Sequence, residues 1–164
     1  MGLDQEWGML TKEEQNEFVN CMLANDELEQ KIKKWNKHPK SEDTFFDMIY
    51  AFKKRIDENA GFIVAMESND VLSGVENIQL ATGKQRGKIT IVEADKHRRY
   101  AMLYTSKEAF KKSCNERSGL VMFIDDILKY IERVKQVDGI IINEGTDNIL
   151  FGKMMIRAVL GAIQ

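Results

Sequence analysis

The stretch SEDTFFDMIYAFKKRIDENAGFIVAM, residues 41–66, decides the fold of this chain because a helix pattern leads directly into a strand pattern. Four apolar residues recur at the spacing of one helix face: Phe45, Ile49, Phe52 and Ile56. Charged residues lie mostly on the opposite face, which is typical of an amphipathic helix. Residues 59–61 supply a stop signal, and the continuous apolar run 62–66 has the length of a strand buried on both faces. This order predicts a sheet covered by helices.

The sequence after residue 66 alternates between strand and helix patterns. Residues 89–92 and 99–104 read as an antiparallel hairpin, and residues 140–142 read as another buried strand. Helix patterns cover residues 126–134 and 154–162, each with an apolar stripe. We therefore predict an α/β (α+β) fold, with a mixed β-sheet of about five strands covered by helices.

Residues 1–40 differ from the rest and predict an N-terminal helical extension. Their apolar residues indicate two short helices or one broken helix, with the break at Asn25 and Asp26. Pro39 is the only proline in the chain and marks the boundary, so we divide the chain into residues 1–40 and an α/β domain at 41–164. Two alternatives stay open: these helices either pack on the core or exchange between subunits.

Composition excludes several classes of protein. The 164 residues carry a net charge of -2, and the pI is about 5.8, so no excess of positive charge attracts nucleic acid. No apolar run approaches the roughly 18 residues that a membrane span needs, and the N-terminus lacks a signal-peptide pattern. Cys21 and Cys114 match no metal or redox spacing. We expect a cytoplasmic protein that binds neither nucleic acid nor membranes.

The residues that catalysis usually requires are not grouped in the sequence. His38 and His97 are the only histidines, and each stands among polar neighbours where a solvated side chain is typical. No helix carries two metal ligands, so we expect neither a metal ion nor a cofactor. The segment 83–88 has the wrong spacing for a phosphate-binding loop, and no nucleophile motif supports a pair between Cys114 and His97. We expect a protein that is not an enzyme.

The strongest local positive charge is the run Lys96, His97, Arg98 and Arg99 in the turn of the predicted hairpin. Such a turn could meet an acidic partner or phosphates, although a charged turn is more often simply solvated. Lys84, Arg86 and Lys88 could extend it, in which case binding would depend on salt. We keep residues 96–99 as candidate interaction residues.

Between residues 43 and 160 the sequence resembles the N-terminal domain of the SseB-like proteins. The resemblance is carried by Tyr104, Thr105 and Ser106 with Glu108 and Phe110, which is similar to that family's aromatic-Thr-Ser-x-Glu segment. It continues in the spacing to the helix at 126–134 and in the strand 139–143, which ends on Asn143. The helix 45–56 and the strand 62–66 match the family's opening order.

The resemblance implies an α/β fold and a bacterial cytosolic setting, and it implies no agreed catalytic residues. Two features depart from the family pattern. Glu144 stands where members often have proline, and the second domain of the longer relatives has no counterpart here. Residues 1–40 lie outside the resemblance.

The motif residues also have a purely architectural interpretation. Thr105 with Glu108 would form a capping box, and Asn143 would hold the turn that follows a buried strand. We therefore expect a non-catalytic protein-interaction or regulatory module with an unidentified protein partner, and we keep a homo-oligomer open. The alternative is a small-molecule-binding domain or enzyme whose pocket lies near Tyr104, Thr105, Ser106 and Asn143.

Overall fold

One mixed sheet of eight strands forms the centre of the computed structural model, which describes residues 3–67, 78–81, 88–113, 118–145 and 149–162. The strands are β1 (Gly61–Glu67), β2 (Ile78–Leu80), β3 (Lys88–Ile89), β4 (Ile91–Ala94), β5 (Arg98–Tyr104), β6 (Ser118–Phe123), β7 (Gly139–Ile142) and β8 (Ile149–Gly152). The helices are α1 (Leu3–Gly8), α2 (Lys12–Met22), α3 (Asp26–Lys37), α4 (Glu42–Asp57), α5 (Lys107–Ser113), α6 (Ile124–Arg133) and α7 (Lys153–Ala162). The predicted α+β class is confirmed.

The main path of the sheet runs β2-β6-β1-β5-β7-β8. The pairs β5/β7 and β2/β6 are parallel, and the other pairs are antiparallel. The segment that contains β3 and β4 joins two neighbours, because β3 pairs with β1 and β4 pairs with β5. The sheet exceeds the predicted five strands in part because the single strand predicted at 89–92 is divided into β3 and β4, which pair with different neighbours. The predicted hairpin is present as the antiparallel pair of β4 with β5.

Side chains on the two faces of the sheet enter two hydrophobic cores. The large core contains Phe62 and Val64 of β1 and is covered by α3, α4, α6 and α7. The small core contains Ile63 and Ala65 and is covered by α2 and α5. Because alternate residues of a strand point to opposite faces, the continuous apolar run in β1 supplies both cores.

The N-terminal helices pack on this chain's own sheet. Val19 and Met22 of α2 are buried in the small core, whereas Leu28 and Ile32 of α3 are buried in the large core. Helices α2 and α3 therefore cover opposite faces, and the short junction between them crosses the end of the sheet. The junction sits at Asn25, where the sequence predicted a break.

Candidate functional site

The carboxyl ends of the parallel strands β5 and β7 bring two motif residues together. Leu103 pairs with Ile142, and the chain continues from these strands into Thr105 and Asn143. The backbone N–H of Thr105 donates to Asn143 Oδ1 at 3.0 Å, and Asn143 Nδ2 donates to Thr105 Oγ1 at 3.1 Å. In open α/β sheets, ligands bind in the crevice outside such strand ends. The ends of β5 and β7 around Thr105 and Asn143, here called the crevice, are where the alternative interpretation of the motif places its pocket.

Asn143 adopts a backbone conformation that suits its position. Its φ is +56°, in the left-handed region that asparagine tolerates better than most residues. This conformation turns the chain away from β7 while the side chain stays buried at 1% exposure. The amide of Asn143, which was predicted to hold a turn, bonds to Thr105 at the end of the neighbouring strand.

The junction between α2 and α3 fills the crevice with the chain's own polar groups. Asn25 Nδ2 donates to Gly61 O at 2.9 Å and to Thr105 O at 3.0 Å. The Thr105 hydroxyl donates to Glu29 Oε2 at 2.9 Å, while Glu29 Oε1 forms an ion pair with Lys33 at 3.0 Å. Asn25 is only 1% exposed, so its two hydrogen bonds form away from solvent.

Arg55 of α4 fixes the junction from the other side. Its Nε donates to Asn25 Oδ1 at 3.1 Å, and its Nη2 donates to the backbone oxygens of Cys21 and Met22, each at 3.0 Å. The guanidinium thus stabilises carbonyls at the C-terminal end of α2, where positive charge is favoured. Helix α4 and the two N-terminal helices are joined through one arginine.

The helix cap after β5 differs from the sequence prediction. Helix α5 begins at Lys107, and Ser106 Oγ accepts a hydrogen bond from the backbone N–H of Ala109 at 3.1 Å. Ser106 therefore caps α5, and the predicted capping box at Thr105 with Glu108 is wrong. The reason is that the Thr105 hydroxyl is buried in the crevice, where it bonds to Glu29 and Asn143.

Tyr104 lies away from the crevice contacts just described. Its ring is fully buried in the small core and packs edge-on against Phe110, with ring centroids 5.3 Å apart. Of the four candidate pocket residues, Thr105 and Asn143 are hydrogen-bonded to each other. Ser106 caps α5, and Tyr104 lies in the small core. The aromatic position in the motif thus has a packing role.

The basic turn, residues 96–99, is exposed and has an unusual backbone. Lys96 and His97 have φ of +55° and +63°, and His97 Nδ1 lies 2.6 Å from Glu93 Oε1. The N–H of Arg99 donates to Asp138 Oδ2 at 2.8 Å, and the N–H of Asp138 donates to Arg99 O at 2.7 Å. These bonds fasten the base of the turn to the residue that precedes β7.

Strand alternation divides the charges of the basic turn. Tyr100 enters the small core and Ala101 the large core, so Arg98 lies on the small-core side of β5 and Arg99 on the large-core side. Within the part of the chain that the structure describes, Lys96, Arg98 and Arg99 form no ion pair. Adjacent arginines in the sequence are thus separate in space.

A concavity of about 570 Å³ lies between α4, α6 and α7, away from the motif residues. Its lining mixes both charges, including Asp57, Asp125 and Lys129, and the last two already form an ion pair at 2.9 Å.

Across residues 3–67, 78–81, 88–113, 118–145 and 149–162, no group of three His, Cys, Asp or Glu side chains is placed to hold a metal ion. None of the described helices has the length and apolar character to cross a membrane.

Some sequence candidates lie outside the described residues. These are Cys114, Lys84, Arg86 and most of the segment 83–88. Sequence reasoning missed Asn25, Glu29 and Arg55 as partners of the motif. The helix break at Asn25 was visible, but nothing local indicated that its side chain contacts a residue 80 positions away.

Comparisons with protein-family models, with curated proteins and with solved structures found no match to this chain. The resemblance to the SseB-like family therefore rests on the sequence alone: the motifs at residues 104–110 and 139–143, the helices at 45–56 and 126–134 and the strand 62–66.

Proposed function

We propose that this chain is an SseB-like domain of the bacterial cytoplasm that acts as a non-catalytic protein-interaction or regulatory module. The observation that carries the proposal is the filling of the crevice by the chain's own Asn25 and Glu29. Thr105 and Asn143 use their hydrogen-bonding groups in contacts within the chain. The motif then serves the architecture, and the outer surface serves function.

The depth of these contacts supports this interpretation. Asn25, Thr105 and Asn143 are each 1% exposed, so a ligand could reach them only after the α2–α3 junction had moved. That movement would also expose Leu28 and Ile32, which are 1% and 0% exposed. Exposing two such side chains costs on the order of 1.5–3 kcal/mol each. A small molecule would have to compensate for this cost before it gained any affinity.

The basic turn is the surface that we propose to contact a protein partner. It presents exposed cations on a hairpin whose base is fastened by the paired bonds between Arg99 and Asp138. Arginine binds carboxylates in a planar, two-point geometry, so a partner segment rich in Asp or Glu fits this chemistry. Rigid presentation reduces the entropy cost of association.

Affinity capture from the source cells with variants as bait tests this proposal. The double variant Lys96→Glu/Arg98→Glu reverses charge on the turn, and Lys111→Glu/Lys112→Glu reverses two exposed charges on α5 as a matched control. We expect at least one protein that the wild type and the control capture in comparable amounts and the turn variant loses. Equal capture by all three baits would refute the role of the turn.

The alternative function, a small-molecule site or enzyme at the crevice, is favoured by its place beyond the ends of parallel strands. A thermal-shift screen of metabolites at millimolar concentration distinguishes it. Our proposal expects no metabolite to raise the Tm of the wild type. A metabolite that stabilises the wild type but not Thr105→Val would replace our proposal with the alternative.

A further inference from the structure

Helix α4 presents two large aromatic side chains to solvent. Phe46 is 51% exposed and Tyr50 is 67% exposed, and they stand one helical turn apart. The opposite face of the same helix is buried, with Met48 and Phe52 at 0% exposure. Exposed aromatic residues on a rigid element are typical of the centre of a protein interface.

Two charged residues extend the same face of α4 at its ends. Asp43 lies one turn before Phe46, and Lys53 lies one turn after Tyr50, so helical spacing places all four on one side. In the described parts of the chain, neither Asp43 nor Lys53 has an ionic partner.

Two other charged residues of α4, Asp47 and Lys54, do form ion pairs within the chain. Asp47 lies 4.0 Å from Lys31, and Lys54 lies 3.2 Å from Glu27, so both are paired with α3. The charges that face α3 are satisfied within the chain, whereas those on the aromatic face are available to a second molecule. This separation gives the aromatic face a distinct electrostatic pattern.

Along α4, the exposed face therefore carries an acidic residue, two aromatic residues and a basic residue, in that order. When two copies of this face meet in antiparallel orientation, each acidic residue lies opposite a basic one and each aromatic residue lies opposite an aromatic one. We propose that the protein forms a two-fold symmetric dimer in which α4 packs antiparallel against α4 of a second copy. Phe46 then faces Tyr50 of the other copy and Asp43 faces Lys53, because both pairs are centred on position 48. Isologous contacts of this kind are the commonest in protein dimers. Antiparallel helix dipoles add a small favourable contribution.

The area that the exposed face of α4 can bury limits the affinity of the proposed dimer. A single helix from each copy covers less than the roughly 1,600 Å² that a standard stable interface buries. We therefore expect a dimer that dissociates on dilution. This inference is independent of the basic turn, which lies on a different element, so either proposal can fail alone.

Sedimentation equilibrium over a range of concentrations tests the dimer. The chain mass is 18.9 kDa, and we expect the average mass to rise toward twice that value as concentration increases. Phe46→Ala/Tyr50→Ala should abolish the rise, whereas Tyr130→Ala, which removes an exposed aromatic from α6, should leave it unchanged. A mass that stays at one chain at every concentration would overturn the proposal.

Charge exchange tests the antiparallel geometry itself. Asp43→Lys and Lys53→Asp each create repulsion in the homodimer and should weaken association about tenfold. The double variant Asp43→Lys/Lys53→Asp should restore it, and so should an equimolar mixture of the two single variants. Far-ultraviolet circular dichroism and Tm confirm that each variant is folded. Dimerisation that the single variants leave intact, or that the mixture fails to restore, would refute this arrangement.

Discussion

Thr105 and Asn143 stand 38 residues apart and exchange hydrogen bonds across the ends of two parallel strands. The bond from the Thr105 N–H to Asn143 Oδ1 continues the pairing of β5 with β7 one step beyond the strands. The Thr105 hydroxyl then connects this pair to Glu29 of α3. One threonine side chain therefore joins the sheet to the N-terminal helices.

Replacing Thr105 with valine keeps its shape and removes the hydroxyl. The buried Asn143 Nδ2 loses this acceptor and the partly exposed Glu29 Oε2 loses this donor, and removing one partner of a buried hydrogen bond costs about 1–3 kcal/mol. We expect Thr105→Val to lower the free energy of unfolding by about 2 kcal/mol in urea denaturation. Thr105→Ser retains the hydroxyl and should lose about 1 kcal/mol or less. Equal losses in the two variants would show that the hydroxyl bonds do not matter.

Asn25 is expected to be the most sensitive polar residue of the N-terminal segment. Asn25→Ala leaves Gly61 O, Thr105 O and Arg55 Nε without the contacts described above. We expect a loss of about 3 kcal/mol in the free energy of unfolding. Asn20→Ala, at an exposed position of α2, is the control and should change stability by less than about 0.5 kcal/mol. Similar losses of stability in Asn25→Ala and Asn20→Ala would show that the hydrogen bonds of Asn25 at the α2–α3 junction do not stabilise the fold.

Ile32 tests whether the N-terminal helices belong to the folded core. Its side chain is fully buried in the large core, so Ile32→Ala should cost about 2–5 kcal/mol through lost burial and the resulting cavity. Gln30→Ala changes an exposed residue of the same helix and should be nearly neutral. If Ile32→Ala is also neutral in urea denaturation, α3 does not pack as described.

The sequence contains the information for the elements and lacks it for the junctions between them. Residues 62–66 predict a doubly buried strand because burial on both faces produces an uninterrupted apolar run. The contact of Asn25 with Thr105 was invisible, since a single polar residue at a helix break is compatible with either solvent or a buried partner 80 residues away. Arg98 and Arg99 looked like one patch because the predicted strand began at residue 99 and left Arg98 in the turn. Strand β5 begins at Arg98, so alternation places the two side chains on opposite faces.

The stability of helix α2 should depend on pH, because its capping box contains the titratable residue Glu14. The Thr11 backbone N–H donates to Glu14 Oε1 at 2.9 Å and the Thr11 hydroxyl accepts from the Glu14 N–H at 3.1 Å. Hydrogen bonds from the backbone and hydroxyl of Thr11 hold the pKa of Glu14 below its ordinary value of 4.5. Because folding lowers this pKa, the stabilisation is complete above that value and is lost as the pH falls through the lower folded pKa.

A pair of variants isolates this effect in the acid range. Glu14→Gln removes the titration and keeps a side chain that can cap. We expect the stability of the wild type relative to Glu14→Gln to decrease as the pH is lowered below 4.5 in thermal unfolding. In a Thr11→Ala background this decrease should become smaller without vanishing, because the hydroxyl is lost while the backbone N–H of residue 11 still donates to Glu14. Equal pH dependence in the wild type and in Glu14→Gln would show that the titration of Glu14 does not contribute to stability.

Gly139 and Gly152 face each other across β7 and β8, yet only Gly139 should be sensitive to substitution by alanine. A Cβ at Gly139 would collide with the backbone oxygen of Phe151, whereas a Cβ at Gly152 meets nothing within 4 Å. Backbone atoms cannot rotate away as side chains do, so β8 would have to shift. We expect Gly139→Ala to lower the free energy of unfolding by about 3 kcal/mol or more and Gly152→Ala to be nearly neutral. If both variants are neutral in urea denaturation, the backbones of β7 and β8 do not approach each other at Gly139 as closely as described.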